Sequence, residues 1–465
     1  MNLRSLSFSG LVAVLALLGC SGSPNKGDDA TNTEQPTIAR SDLAQTPTTA
    51  IPPSSLNAAV TANNALAVDL YAHLLAEAPS GNLLMSPISA SLALTMAYAG
   101  AVGDTATEMA NALHFDPSLG QAIFDGQNAL SQALAARGAS ALKLAQDLAR
   151  AGNQPAPKSA DYDFHIVNSI WGEKTYAWER PFLDTVAQSY GTGVYEQDFI
   201  HESEPARLAI NDWVSSETKQ KINDLLPPGA LDEKTRMVLV NALHLKFPWA
   251  VPFDPNSTAP GLFTRADATA VTASFMTRPG LLAYVDDGQA QIAALPLSNG
   301  ELSLVIALPH EGTELSTYEA GLHAGSAALS IPASAEEVVL SLPKATFTSA
   351  SLSLTRSLKS MGMNRAFDQE SADFSGLCAH PPDGKRLYVA DVLQKAMISM
   401  QEGGVEAAAA TAVVVAGALD LVADPDPLPI TMVVNRPYLV ALVDVPTGAI
   451  LMLGQVTDPT DAGSP

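Results

Sequence analysis

Apolar residues recur along the first half of this chain at helical spacing and gather into long runs in the second half. Leu66, Leu70 and Leu74 stand four apart, which places them on one face of a helix. Ser86-Pro87 reads as a cap followed by proline at the first helical position. Thr105-Ala106-Thr107-Glu108 fits a capping box opening another helix. Residues 237–245, MVLVNALHL, and 302–308, LSLVIAL, are apolar on both faces, the pattern of strands covered above and below. Near the end, YLVALVDVPTGAILMLGQV predicts a hairpin turning at Pro446-Thr447-Gly448. Helices early and strands late predict an α+β fold, one domain with large sheets over residues 57–465. Residues 136–158, ending in GNQPAPK, read as a surface excursion too short to be a domain.

One stretch fits neither period. Residues 402–427 read EGGVEAAAATAVVVAGALDLVADPDP. Gly403-Gly404 supplies a pivot, and the Asp-Pro repeat supplies an exposed end that cannot continue a helix. Between them, as far as Leu419, Glu406 is the only charge. The run 407–419 is too short to span a bilayer, and its valines do not recur at a helical period. On pattern alone two readings stay open: a buried helix followed by a strand, or a segment that is an exposed loop in one state and a core strand in another.

With 465 residues, 47% of them hydrophobic, the chain can build a large core. Its formal charge of −23, from 25 Lys+Arg against 48 Asp+Glu, argues against nucleic acid and anionic lipid as partners. The first twenty residues, MNLRSLSFSGLVAVLALLGC, combine a basic start at Arg4, an apolar run and a small residue before Cys20, which is the make-up of an export signal. Leu17-Leu18-Gly19-Cys20 also resembles the bacterial lipobox, in which the cysteine is lipidated and becomes the new N-terminus. An ordinary cleaved signal with an incidental cysteine is the alternative. Residues 21–56 are rich in Ser, Thr, Pro, Asn and Asp, so a disordered tether is expected there. The expected location follows: exported, anchored through Cys20 at the cell surface or in the periplasm, or released. Cys378 is the only other cysteine, so the mature domain carries no internal disulfide; it reads as a small buried side chain.

No catalytic constellation stands out. Ser216-Glu217-Thr218-Lys219 matches S-x-x-K, a candidate nucleophile and base, but the K-T-G that accompanies that motif is absent from the chain. G-x-S-x-G, H-E-x-x-H, C-x-x-C and phosphate-loop patterns are absent too, so no cofactor or metal is expected.

A family resemblance then gives the odd stretch a context. Asn82-Leu-Leu-Met-Ser86-Pro87-Ile-Ser89, Leu94-Thr-Met96, Ala99-Gly100-Ala101 and Gly103-Asp-Thr105 with Glu108-Met109 resemble the opening signature of the serpins. The likeness continues in Asn211-Asp-Trp213-Val214, Lys221-Ile-Asn-Asp224-Leu225-Leu226, Val240-Asn241-Ala242, Trp249 and Phe253-Asp254. Leu342-Pro343-Lys344, Met361-Gly362-Met363, Ala366-Phe367, Ala372-Asp373-Phe374-Ser375, Glu402-Gly-Gly404-Val-Glu406, Asn435-Arg436-Pro437-Tyr438 and Leu453-Gly454 complete it in family order.

The resemblance implies three β-sheets, eight or nine helices and an exposed reactive-centre loop over about residues 402–430. It implies an inhibitor of serine endopeptidases that acts as a suicide substrate, not an enzyme. The protease cleaves the loop and is held as an acyl-enzyme while the loop's N-terminal arm inserts into the main sheet. The arm would be Glu402, Gly403, Gly404, Val405, Glu406, Ala407, Ala408, Ala409, Ala410 and Thr411, small and strand-compatible; Val405, Ala407, Ala409 and Thr411 share one face. Family spacing places the scissile bond between Ala418 and Leu419, suiting an elastase-like protease; a bond after Leu419, suiting a chymotrypsin-like one, is the alternative. Ser86, Ser89, Asn241, Gln394 and Lys395 would lie where the sheet opens, and Trp249 with a Lys344 to Glu402 ion pair at the insertion point. Gln394 stands where the family usually has histidine, so pH sensitivity at that position should be lost. A monomer forming a covalent complex is expected. The rival readings are a non-inhibitory serpin, acting as a binding or chaperone protein, and a surface hydrolase.

Overall fold

The structure is a computed structural model that describes residues 36–77, 81–349, 351–382, 384–405 and 428–462. Its helices are α1 (Pro53–Glu77), α2 (Pro87–Tyr98), α3 (Gly103–Ala112), α4 (Gln121–Ala135), α5 (Arg137–Ala151), α6 (Arg180–Tyr190), α7 (Ser203–Glu217), α8 (Leu315–Glu319) and α9 (Thr355–Ser360). Leu66, Leu70 and Leu74 of α1 are all buried. Ser86 caps α2 with Pro87 in the first turn, and nearly every residue of α2 is buried. The capping box expected at Thr105 is corrected. The helix starts at Gly103, the Thr105 hydroxyl accepts from the Asp373 amide, and Glu108 accepts from the amides of Asn364 and Arg365. Within the 136–158 excursion, α5 is a regular helix with exposed Leu144 and Leu148.

The strands are β1 (Thr37–Ala39), β2 (Leu83–Met85), β3 (Asp163–Glu173), β4 (Val194–Gln197), β5 (Met237–Pro248), β6 (Thr258–Thr264), β7 (Ala270–Asp286), β8 (Ala290–Leu297), β9 (Leu302–Pro309), β10 (Ala335–Pro343), β11 (Ala345–Thr348), β12 (Leu352–Ser353), β13 (Val392–Gln401), β14 (Gly404–Val405), β15 (Ile430–Val433), β16 (Tyr438–Asp444) and β17 (Ala449–Val456). Eight of them form a sheet in the order β1-β4-β3-β5-β14-β13-β11, with β12 also on β13. The other nine run β15-β10-β7-β8-β9-β16-β17-β2, with β6 on β7. The 17 residues of β7 pair first with β6 and β10, then with β8. One long strand therefore joins two of the three expected sheets, and the α+β class holds.

The apolar run of β5 is explained by cover on both faces. Val238, Val240 and Ala242 pack with Ile210 and Val214 of α7, whereas Leu243, Leu245 and Phe247 join the core shared with β9, β16 and β17. The predicted hairpin is β16 and β17, with Gly448 at φ 76° in its turn.

The expectation of a disordered tether over 21–56 is corrected for its described part, residues 36–56. Residues 36–56 are ordered: β1 pairs antiparallel with β4, the Asn128 side chain donates to the Thr46 carbonyl at 2.8 Å, and α1 begins at Pro53. Polar composition misleads here because the segment is held by hydrogen bonds more than by apolar burial.

One buried acid weakens the fold at neutral pH. Glu319 of α8 accepts from the Tyr71 hydroxyl of α1 at 2.7 Å. Burial raises its carboxyl from the ordinary 4.5 to about 7, and the Tyr71 hydrogen bond only partly offsets this. A folded value above the unfolded one means the contribution to stability is complete below pH 4.5 and is lost as pH rises through 7. Glu319→Gln should therefore raise the melting midpoint at pH 8 by about 3 °C, from about 2–3 kcal/mol, and leave it unchanged at pH 4. Thermal melts of both proteins at the two pH values check this.

Candidate functional site at the seam of the main sheet

In the middle of the eight-stranded sheet, β5 and β13 run parallel and pair directly from Leu239↔Val392 to Leu243↔Ala396. Beyond those five pairs the strands part, and β14 lies between them, antiparallel to both. Gly404 faces Pro248 and Gln401, and Val405 faces Phe247 and Met400. A Cβ at position 404 would stand 2.2 Å from the Phe247 carbonyl oxygen, so only glycine fits there. Val405 is 1% exposed, with Phe247 and Met400 in the same core. The opening Glu-Gly-Gly-Val of the odd stretch is thus already wedged two residues deep in a fork.

The mouth of the fork is held by polar contacts. Glu402 lies 2.9 Å from the Lys344 ammonium and accepts from the Thr258 hydroxyl at 3.0 Å. Burial works to raise the Glu402 carboxyl, but the Lys344 and Thr258 contacts outweigh it and hold it below its usual value. Trp249 donates its indole N–H to the Gln401 carbonyl at 2.8 Å and its amide to Gly403, while the Phe253 amide donates to Glu402. Sequence reading placed Trp249, Lys344 and Glu402 together; Thr258 and Phe253 emerge only from the folded contacts.

Below the fork a polar cluster closes the seam. Gln394 of β13 accepts from the Ser86 amide at 2.9 Å and donates to the Ser86 carbonyl at 2.7 Å and to Asn241 Oδ1 of β5 at 2.8 Å. The hydroxyl of Ser86 bonds that of Ser89 at 2.9 Å. Asn241 Nδ2, buried, meets no acceptor among the described residues, which weakens the closed state. Lys395 donates to the Asn223 carbonyl at 3.0 Å, and burial lowers its pKa despite nearby Asp224. Gln394→Leu would orphan the Ser86 amide, its carbonyl and Asn241 Oδ1 at about 1–3 kcal/mol each. The expected loss of stability is roughly 3–5 kcal/mol; an unchanged urea midpoint would exclude a bridging role.

Ala418, Leu419, Glu406, Ala407, Ala408, Ala409, Ala410, Thr411 and Cys20 lie outside the described residues. The S-x-x-K candidate is corrected, since Lys219 Nζ is 2.7 Å from Asp163 Oδ2 and is an ammonium held by a carboxylate, not a base facing Ser216. Among the described residues no group of three or more His, Cys, Asp or Glu is placed to hold a metal.

The family model described as serpin (serine protease inhibitor) matches residues 61–459. The chain belongs to the serpin family. Among curated relatives it is 30% identical over 410 residues to mouse (Mus musculus) leukocyte elastase inhibitor A, covering 86% of this chain and 98% of that one. It is likewise 30% identical to human (Homo sapiens) antithrombin-III, over 86% of this chain and 81% of the other. Among solved structures, human thyroxine-binding globulin superposes with a TM-score of 0.72 at 27% identity, covering 88% of this serpin and all of that chain. The thermophilic serpin tengpin in its native state gives 0.70 at 24% identity, over 90% and 96% of the two chains, and speaks for the fold alone.

Proposed function

We propose that this serpin inhibits serine endopeptidases as a suicide substrate. Cleavage near Ala418-Leu419 would free an arm that threads between β5 and β13 while the acyl-enzyme is still attached. The observation that carries this reading is the fork: Val405 is seated in the core between two strands that are paired directly just beyond it. After insertion, the same register continued would set Ala407 opposite Leu245 and Glu406 opposite Lys246, so the single charge of the arm would meet a cation. Small side chains from Ala407 to Ala410 need little room between the strands.

The relatives named for elastase inhibition support a target with a small-residue pocket, in line with Ala418 at the cleaved position. A chymotrypsin-like target cutting after Leu419 is the second possibility for the bond. Export and lipid anchoring through Cys20 belong to the same proposal and rest on the sequence of the first twenty residues. The test is a denaturing gel of the protein mixed with elastase and with chymotrypsin. A band at the summed mass is expected, with mass spectrometry of the released peptide giving the bond. Cleavage with no such band would point to the non-inhibitory reading, and catalytic turnover of a substrate to the hydrolase.

A further inference from the structure

Strand alternation brings four ionisable side chains to the α7 side of the main sheet. Asp163 of β3 stands opposite Lys246 of β5, and His165 opposite His244. Asp163 is the centre of the group. Its Oδ1 lies 2.9 Å from His165 Nε2, and its Oδ2 lies 2.7 Å from Lys219 Nζ and 3.3 Å from His244 Nδ1. Lys246 is engaged by Asp161, from the turn before β3, at 2.8 Å. The two imidazoles therefore face Asp163, Asp161, Lys246 and Lys219, drawn from β3, its approach, β5 and the chain that follows α7.

Lys219 comes from a segment under tension. Lys219 and Gln220 have φ of 52° and 63°, left-handed values unusual for residues with side chains. Four residues on, the Asn223 carbonyl accepts from Lys395 of β13. Residues 219–223 thus reach from β3 to β13 across β5 and the seam. His244 follows Leu243, the last β5 residue paired to β13, so the cluster sits beside the fork.

We propose that residues 219–223 are a pH-sensitive strap over the seam, fastened at neutral pH by Lys219 on Asp163 and released when His165 and His244 take up protons. The inference rests on the reading that the seam opens to admit a strand. Imidazole is the side chain that gains charge on mild acidification, and here two of them share one carboxylate with an ammonium. On acidification three cations compete for it, and the opposed imidazolium rings repel both each other and Lys219. The side chains of His244 and Asp163 are 4% and 8% exposed, whereas that of Lys219 is 54% exposed, so the ammonium is the partner that leaves for water. Once it is released, the left-handed turn can relax and β13 is tied only to a slack segment.

Hydrogen exchange on the full chain tests this at the amides of residues 219–222, which donate to Ser216, Ser215, Thr218 and the Thr218 hydroxyl. Between pH 7.5 and 5.5, after correction for intrinsic rates, the natural protein should lose protection about five- to tenfold. The double variant His165→Gln, His244→Gln should keep its protection at both pH values. Lys219→Met should lack it already at pH 7.5. An equal acid loss in the double glutamine variant, or full protection in Lys219→Met, would overturn the proposal. Exchange is read without a protease, so a missing covalent complex removes the inhibitory reading alone, and a covalent complex without the pH effect removes the strap alone.

Discussion

The intact protein nicked between Ala418 and Leu419 should melt roughly ten degrees or more above the uncut form. Opening the seam breaks five parallel pairings and the Gln394 cluster. Admitting the arm makes about a dozen ladder hydrogen bonds at about 1 kcal/mol net each, and burial of its valines adds about 1.5–3 kcal/mol per side chain. The balance is on the order of ten kcal/mol. With an unfolding entropy of about 2.1 cal/mol/K per residue, a domain of this size shifts by about one degree per kcal/mol. The intact state persists because both ends of the arm are tied, a case of kinetic stability. Calorimetry of cut and uncut protein decides the matter, and equal midpoints would mean that no free energy is held back for inhibition.

The second large effect is expected from Val405→Arg. Val405 is 1% exposed beside Phe247 and Met400, so the substituted guanidinium would have to enter an apolar site or stay outside the fork. Burying an unpaired charge costs several kcal/mol, and each 1.4 kcal/mol is a factor of ten in rate or equilibrium. Insertion would then lose its race with deacylation. The ratio of trapped complex to cleaved inhibitor should fall at least tenfold on a quantified gel, with the rate of loop cleavage itself unchanged. A ratio equal to that of the natural protein would show that position 405 does not lead the insertion.

What could be read from sequence was whatever is local or ordered along the chain. The helical spacing of Leu66, Leu70 and Leu74, the Ser86-Pro87 cap and the Pro446 to Gly448 turn depend on near neighbours, and each appears where expected. The fork contacts of Trp249, Lys344 and Glu402 followed from family order. Contacts made across long separations were out of reach. Thr105 resembles a cap, yet its hydroxyl bonds the amide of Asp373 from far down the chain. Residues 36–56 have the composition of a tether but are docked on β4 and α4 by hydrogen bonds that no composition reveals. The grouping of Asp163, His165, Lys219 and His244 needs both the β3–β5 register and the left-handed turn after α7, and neither has a sequence signature.

The direction of β14 has a thermodynamic consequence. Because it runs against both neighbours, the three residues after Val405 would fill a gap where β5 and β13 are not paired, and each of the next five would exchange one slanted parallel pairing for two antiparallel ones. Five such exchanges exhaust what there is to break, while every later step only adds bonds. Under the proposed mechanism each rung therefore adds pairing, and what must be overcome is the parting of the Gln394 cluster that closes the seam. A zipper of this kind has no halfway resting place and no practical route back.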